Sequence, residues 1–367
     1  MPIPNNAMPP LSGKTLRSPA DLAAAELVAP DRATALEAVA ERYAIAITPQ
    51  MAALIDPNDP DDPIGLQFLP DPRELEALPH ERLDPIGDEA HAPVEGVVHR
   101  YRDRALLKLL HVCPVYCRFC FRRETVGPGA ASSLSPEALS GALDYVRAHP
   151  EIWEIILTGG DPLAMSPRRL KEVMLALSGI PHVKIVRIHT RVPAVDPGRV
   201  NADMIEALQA FGRSVYVALH ANHARELTPA ARAACARIVD AGLPMVSQSV
   251  LLAGVNDHPD TLADLMRAFV ECRIKPYYLH HPDLAPGTSH LRVDIARGRK
   301  IVAALRGRVS GLCQPDYVLD IPGGYGKAPL SESAAQPDGD DWRVTDYNGG
   351  VHTYADPHNY ADPHPEV

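Results

Sequence analysis

The sequence predicts an α/β protein built on a largely parallel sheet. Strand-like runs at 152–158, 183–190, 214–220, 244–252 and 276–280 alternate with helical stretches near 135–148, 167–178, 201–211, 228–241, 258–272 and 294–307. Such alternation produces βαβ units and parallel pairing. A further apolar run, ALLKLLHV at 105–112, precedes the first of these helices and brings the strand count to six. At 367 residues the chain can bury a large core. A doubly wound sheet and a partial barrel read almost alike from this pattern. Both place functional residues at the carboxyl ends of strands.

Charge and composition narrow the function classes. The net charge is −10 and no basic run stands out, which argues against an extended nucleic-acid footprint and leaves small molecules or proteins as partners. No apolar stretch approaches a membrane span, and MPIPNNAMPPLSGK lacks the basic-then-apolar plan of a secretory signal. The expectation is a soluble, cytoplasmic protein. Of six cysteines, three are clustered, while Cys235, Cys272 and Cys313 lie far apart. That is no disulfide framework, and free thiols in a reducing compartment fit better. Cys235, within a helical run, reads as a buried structural residue.

Residues 1–20 are Pro-rich and aperiodic, the pattern of a poorly ordered terminus. Residues 20–43 read as two amphipathic helices broken at Pro30, with Asp31 as N-cap of the second. The X-Pro steps of DPNDPDDPIGLQFLPDPRELEALP favour an extended arm wrapped over the body. Its acidic DPNDPDDP lacks the spacing and terminal Glu of a calcium loop and reads as turn chemistry.

The strand at 105–112 delivers Cys113, Cys117 and Cys120, a C-x3-C-x2-C set. Three thiolates on one short loop suit three corners of an iron–sulfur cluster and leave one iron open. Zinc would need a fourth ligand, for which His111 is a candidate, and ordinary thiols are the third reading. Gly159, Gly160 and Asp161 follow the next strand, where two glycines permit close backbone approach to a ligand and a carboxylate can receive an ammonium. His189, His220 and Asn222 lie at strand ends, and Gln248 within the run at 244–252. Beyond the last helix, 310–330 reads as a strand leading into a Gly-rich turn that presents Lys327. PGGYGK lacks the spacing of a phosphate-binding P-loop. The tail carries YADPH twice, at 354–358 and 360–364. Its histidines admit metal binding, although turn-forming segments are the plainer reading.

Taken in order, HRY-x-DR, CRFCFRR, LTGGDPL, QSVLL-x-GVND and D-x-PGG-x-GK resemble the lysine 2,3-aminomutase family of the radical S-adenosylmethionine superfamily, over residues 45 to 360. The resemblance implies a partial (β/α)6 TIM-type barrel at 96–308, an N-terminal helical and extended arm at 1–95, and a C-terminal pyridoxal-phosphate segment at 309–367. It implies a 4Fe–4S cluster on Cys113, Cys117 and Cys120, and S-adenosylmethionine bound near Gly159, Gly160, Asp161, His220 and Gln248. Lys327 would carry pyridoxal phosphate, with Arg100, Tyr101 and Arg104 on its phosphate. Arg122 would clamp the substrate α-carboxylate, and Asp283 with Asp320 would receive the ε-ammonium of L-lysine, which favours lysine over glutamate. The implied activity is interconversion of L-lysine and β-lysine. A relative that supplies β-lysine for modifying elongation factor P, or one with another amino-acid substrate, would read alike. Implied partners are a flavodoxin or ferredoxin as electron donor and further copies in a homo-oligomer. Some members carry a structural zinc. The absence of cysteine after Cys313, and His258 at the NDH position, put that zinc in doubt.

Overall fold

The computed structural model describes residues 13–127, 133–331, 333–339 and 341–355. Its centre is one nine-stranded sheet whose strands run in chain order. They are β1 (Val97–Tyr101), β2 (Arg104–Leu110), β3 (Glu154–Gly159), β4 (Ile185–Thr190), β5 (Ser214–His220), β6 (Met245–Val250), β7 (Ile274–His280), β8 (Asp316–Asp320) and β9 (Lys327–Pro329). From β2 to β8 every pairing is parallel; β1 and β9 are antiparallel edges that leave the curled sheet open, a partial barrel. Strands covered on both faces read as near-continuous apolar runs, as in β3, where Ile155, Ile156 and Leu157 are all buried.

Four of the connecting helices share one starting device. Pro136–Ala148, Pro167–Ser178, Pro229–Asp240 and Pro259–Glu271 each place Pro in the first turn behind a side-chain N-cap, from Ser135, Ser166, Thr228 and His258 respectively. Proline's fixed φ suits that position and its missing N–H costs nothing there. His258, at the position that put the zinc in doubt, is an exposed helix cap here.

Several expectations need correction. Residues 20–43 form three short helices, Pro19–Ala24, Pro30–Ala35 and Glu37–Arg42; Pro30 opens the second and Asp31 lies in its first turn, with Ala29 at the cap position. The parallel run holds a seventh strand, β8, and the Lys327 turn is the hairpin joining it to β9. The tail adds a separate antiparallel meander of β10 (Ala335–Asp338), β11 (Asp341–Thr345) and β12 (Val351–Ala355). His358 and His364 of the YADPH repeats, and residues 1–12, lie outside the described residues. No described helix is long and apolar enough to cross a membrane.

The arm behaves as turn chemistry predicts. Asp56, Asp59 and Asp62 accept backbone N–H groups two or three residues on. Two short helical pieces, Gly65–Phe68 and Pro72–Leu75, interrupt it. The second buries Glu74, whose carboxylate takes Arg118 Nε at 2.9 Å and also pairs with Arg123. The arm thereby locks the loop that carries the cysteines. A Glu74→Ala protein leaves two buried guanidiniums without their anion, a loss of about 3–5 kcal/mol that a denaturation midpoint would register. An unchanged midpoint would contradict it.

Candidate active site

The carboxyl ends of the parallel strands open into a cavity of about 270 Å³. Every site residue that the motifs single out lines it: Cys113, Cys117 and Cys120, Gly159 to Asp161, His220 and Gln248, Arg122, Asp283 and Asp320, and Arg100, Tyr101, Arg104 and Lys327. These positions span more than two hundred residues of sequence. The sheet gathers them.

At one end the three thiols sit together, each pushed up chiefly by burial, Cys120 to about 11, while the Arg191 cation pulls Cys117 the other way. Bound iron reverses that cost, because coordination removes the thiol proton. Among the described residues no set of His, Cys, Asp and Glu closes on a single metal ion. A cubane cluster presents separate iron corners to its ligands, and three adjacent, unpaired thiols fit it.

The Gly159-Gly160-Asp161 turn differs in detail from its sequence reading. Gly159 has φ +106°, and a Cβ there would lie 2.5 Å from the Leu110 carbonyl; one on Gly160 would run into the Val112 carbonyl. The glycines therefore let β3 approach the strand and loop leading to Cys113. The Asp161 carboxylate is already occupied: it accepts from Leu163 N (3.0 Å), Thr190 Oγ1 (2.7 Å) and Arg191 N (2.7 Å). It pins the β3 and β4 loops together.

At the other end Asp320 is the hub. Its Oδ1 lies 2.5 Å from Lys327 Nζ and its Oδ2 3.2 Å from His280 Nδ1. His280 Nε2 faces Gln248 Nε2 at 3.2 Å. A neutral His280 protonated on Nδ1 satisfies both contacts, and burial favours the neutral ring. Against the cost of burial, the His280 hydrogen bond and the Lys327 ammonium hold the Asp320 carboxyl well below the usual range. Asp283 is the opposite case. Burial, then the charge of Asp320, push its carboxyl up to about 8.

Lys327 is presented by a hairpin turn in which Gly323, Gly324 and Gly326 all have positive φ. Its backbone N–H donates to Tyr101 Oη at 2.9 Å, and Arg104 stacks on the Tyr101 ring at 3.9 Å. Between the two ends, Asp88 grips Arg122 through Nε (3.2 Å) and Nη2 (2.9 Å) and Arg100 through Nη2 (3.3 Å). Buried polar atoms without a partner include Arg100 Nε and His189 Nε2, and both residues line the cavity. Unpaired buried donors beside a lysine and a phenol are a cradle that a phosphorylated pyridoxal fits. Asp88, His280 and Arg191 are functional candidates that motif reasoning missed. His189 appeared only as a strand end.

A family profile described as the radical SAM superfamily matches residues 107–266, and one described as lysine-2,3-aminomutase matches 302–366. L-lysine 2,3-aminomutase of Clostridium subterminale is 38% identical over 314 residues, covering 85% of this chain and 75% of that one. The chain belongs to the lysine 2,3-aminomutase family. L-lysine 2,3-aminomutase of Acetoanaerobium sticklandii is 38% identical over 286 residues, 78% of this chain and 69% of that one. Glutamate 2,3-aminomutase of Clostridioides difficile is 35% identical over 295 residues, 80% of this chain and 69% of that one. As a radical S-adenosylmethionine aminomutase, the chain is an isomerase that takes a 4Fe–4S cluster, S-adenosylmethionine and pyridoxal phosphate.

Proposed function

We propose that this aminomutase interconverts L-lysine and β-lysine. Relatives named for lysine and for glutamate have similar identities, so their names do not decide the substrate. The observation that carries the proposal is the pair of carboxylates, Asp283 and Asp320, on the wall of the cavity that also holds Lys327 and Arg122. An ammonium is stabilised between them, whereas a glutamate side chain would set a third carboxylate against two.

In this proposal Cys113, Cys117 and Cys120 hold the cluster, and His220, Gln248 and the Gly159–Gly160 backbone line the S-adenosylmethionine pocket. The cluster, when bound and reduced, would supply the electron for reductive cleavage of S-adenosylmethionine. Pyridoxal phosphate on Lys327 supplies the π-system across which an amino group shifts. Arg100, Tyr101 and Arg104 hold its phosphate. Asp88 occupies the Nε–Nη2 edge of Arg122, so a substrate carboxylate meets the Nη1 edge, where Thr158 Oγ1 lies at 3.4 Å. Lys327 would hold the cofactor aldehyde, and Asp320, no longer facing a free lysine ammonium, would be left to receive the substrate ammonium. Residues 1–95 serve as a clamp on the 96–308 core, and 309–367 supply the lysine. An external flavodoxin or ferredoxin delivers the electron, and the described cysteines, all free, suit the reducing cytoplasm. A homo-oligomer is part of the proposal by family likeness.

Two substitutions test the substrate. Asp320→Asn removes one partner of a buried charge pair, a loss of about 2–5 kcal/mol in lysine turnover, or roughly thirty- to several-thousand-fold. Asp283 adds a pH signature. With its carboxyl at about 8 it is protonated at neutral pH, and an arriving ammonium expels that proton. The lysine KM should fall from pH 6 to about 8 and then level, while Asp283→Asn flattens the profile. Wild-type lysine kinetics in both variants would sink the proposal.

A further inference from the structure

Arg191 directly follows β4 and is buried. Its Nη1 lies 2.9 Å from Cys117 Sγ, the one side-chain hydrogen bond to any of the three clustered sulfurs among the described residues. Its Nη2 pairs with the fully buried Glu226 and lies 3.2 Å from Gln67 Oε1. Glu226 is itself fixed, accepting from Asn222 N at 2.8 Å, His223 N at 3.0 Å and Gln67 Nε2 at 3.2 Å. The guanidinium carbon stands 4.9 Å from the Phe68 ring centroid and 5.6 Å from that of Phe119. One edge of the cation is thus anchored and the other aimed at sulfur. The ion pair alone would satisfy the charge of Arg191; the contact with Cys117 is additional.

We propose that Arg191 is a positioning residue that sets the reduction potential of the iron–sulfur cluster by donating an N–H to the Cys117 thiolate. The inference rests on Cys117 being a cluster ligand. One-electron reduction, from an external donor, adds negative charge that the cluster shares with its thiolates. Hydrogen bonds to the sulfurs and local charge are among the levers that set such potentials. In a site of low dielectric a fixed N–H cation favours the reduced form more than the oxidised one. The carboxylate of Glu226 faces the opposite edge of the guanidinium, so it orients Arg191 and only partly offsets its charge at the sulfur.

The test is an EPR-monitored reductive titration of anaerobically reconstituted wild type, Arg191→Lys and the double variant Arg191→Met/Glu226→Gln, which removes both buried charges together. The double variant should reduce with an equilibrium constant about tenfold smaller, a downward shift of about 59 mV for one electron. Arg191→Lys should shift less, in the same direction. Wild type labelled with 15N-arginine should show guanidinium nitrogen coupled to the reduced cluster by pulsed EPR, a readout that needs no variant. A loaded double variant with the wild-type potential, or no 15N coupling in wild type, overturns the inference alone. Wild type that assembles no 4Fe–4S cluster overturns the ligand assignment with it.

Discussion

A Cys117→Ala protein, reconstituted with iron and sulfide under anaerobic conditions, is expected to cleave no S-adenosylmethionine. Three thiolates are the fewest that hold three corners of a cubane while leaving the fourth iron open, and the other cysteines, Cys235, Cys272 and Cys313, are buried away from the cavity. Removing one corner also leaves the Arg191 Nη1 facing a methyl group. The fold should persist, because Glu74 still anchors the loop through Arg118 and Arg123. Reductive cleavage at the wild-type rate would contradict the assignment.

The second large effect is expected at Lys327. Borohydride reduction of the loaded wild type should fix a pyridoxyl group on the peptide containing Lys327, and Lys327→Ala should lose both that label and about three orders of magnitude or more in turnover. The turn itself should survive, since Tyr101 is bonded to the backbone N–H of residue 327. What changes is Asp320, which loses the ammonium that helps hold its carboxyl low. A label found on Lys108 or Lys275 would show that the PGGYGK turn was misassigned.

The parts legible in the sequence were those written locally. Strand-helix alternation fixes β2 to β7 because each βαβ unit is contiguous, and the cysteine loop, the glycine pair and Lys327 sit within a few residues of the turns that present them. β8 and β9 were harder. A five-residue strand and a three-residue strand around a Gly-rich turn carry little periodicity, and only docking on β7 makes them part of the sheet. The meander at 335–355 likewise lacks an apolar face that would announce it. Within the site, the roles of Asp88, Glu74 and Arg191 depend on partners 34, 44 and 74 residues distant. In the sequence each is one charged residue among many. The nearest signal was positional: Arg191 stands at the carboxyl end of a core strand, where buried cations have work to do. The loop-joining hydrogen bonds of Asp161, a carboxylate read as a ligand, were likewise not legible in the sequence.

The measurement that tests the central claim most directly is product analysis of the purified wild-type protein. It would be loaded with cluster and pyridoxal phosphate, reduced, and supplied with S-adenosylmethionine and either L-lysine or L-glutamate. The carboxylate pair at Asp283 and Asp320 predicts β-lysine from lysine and no β-glutamate from glutamate. Isomerisation of glutamate, or S-adenosylmethionine cleavage without β-lysine, would contradict it.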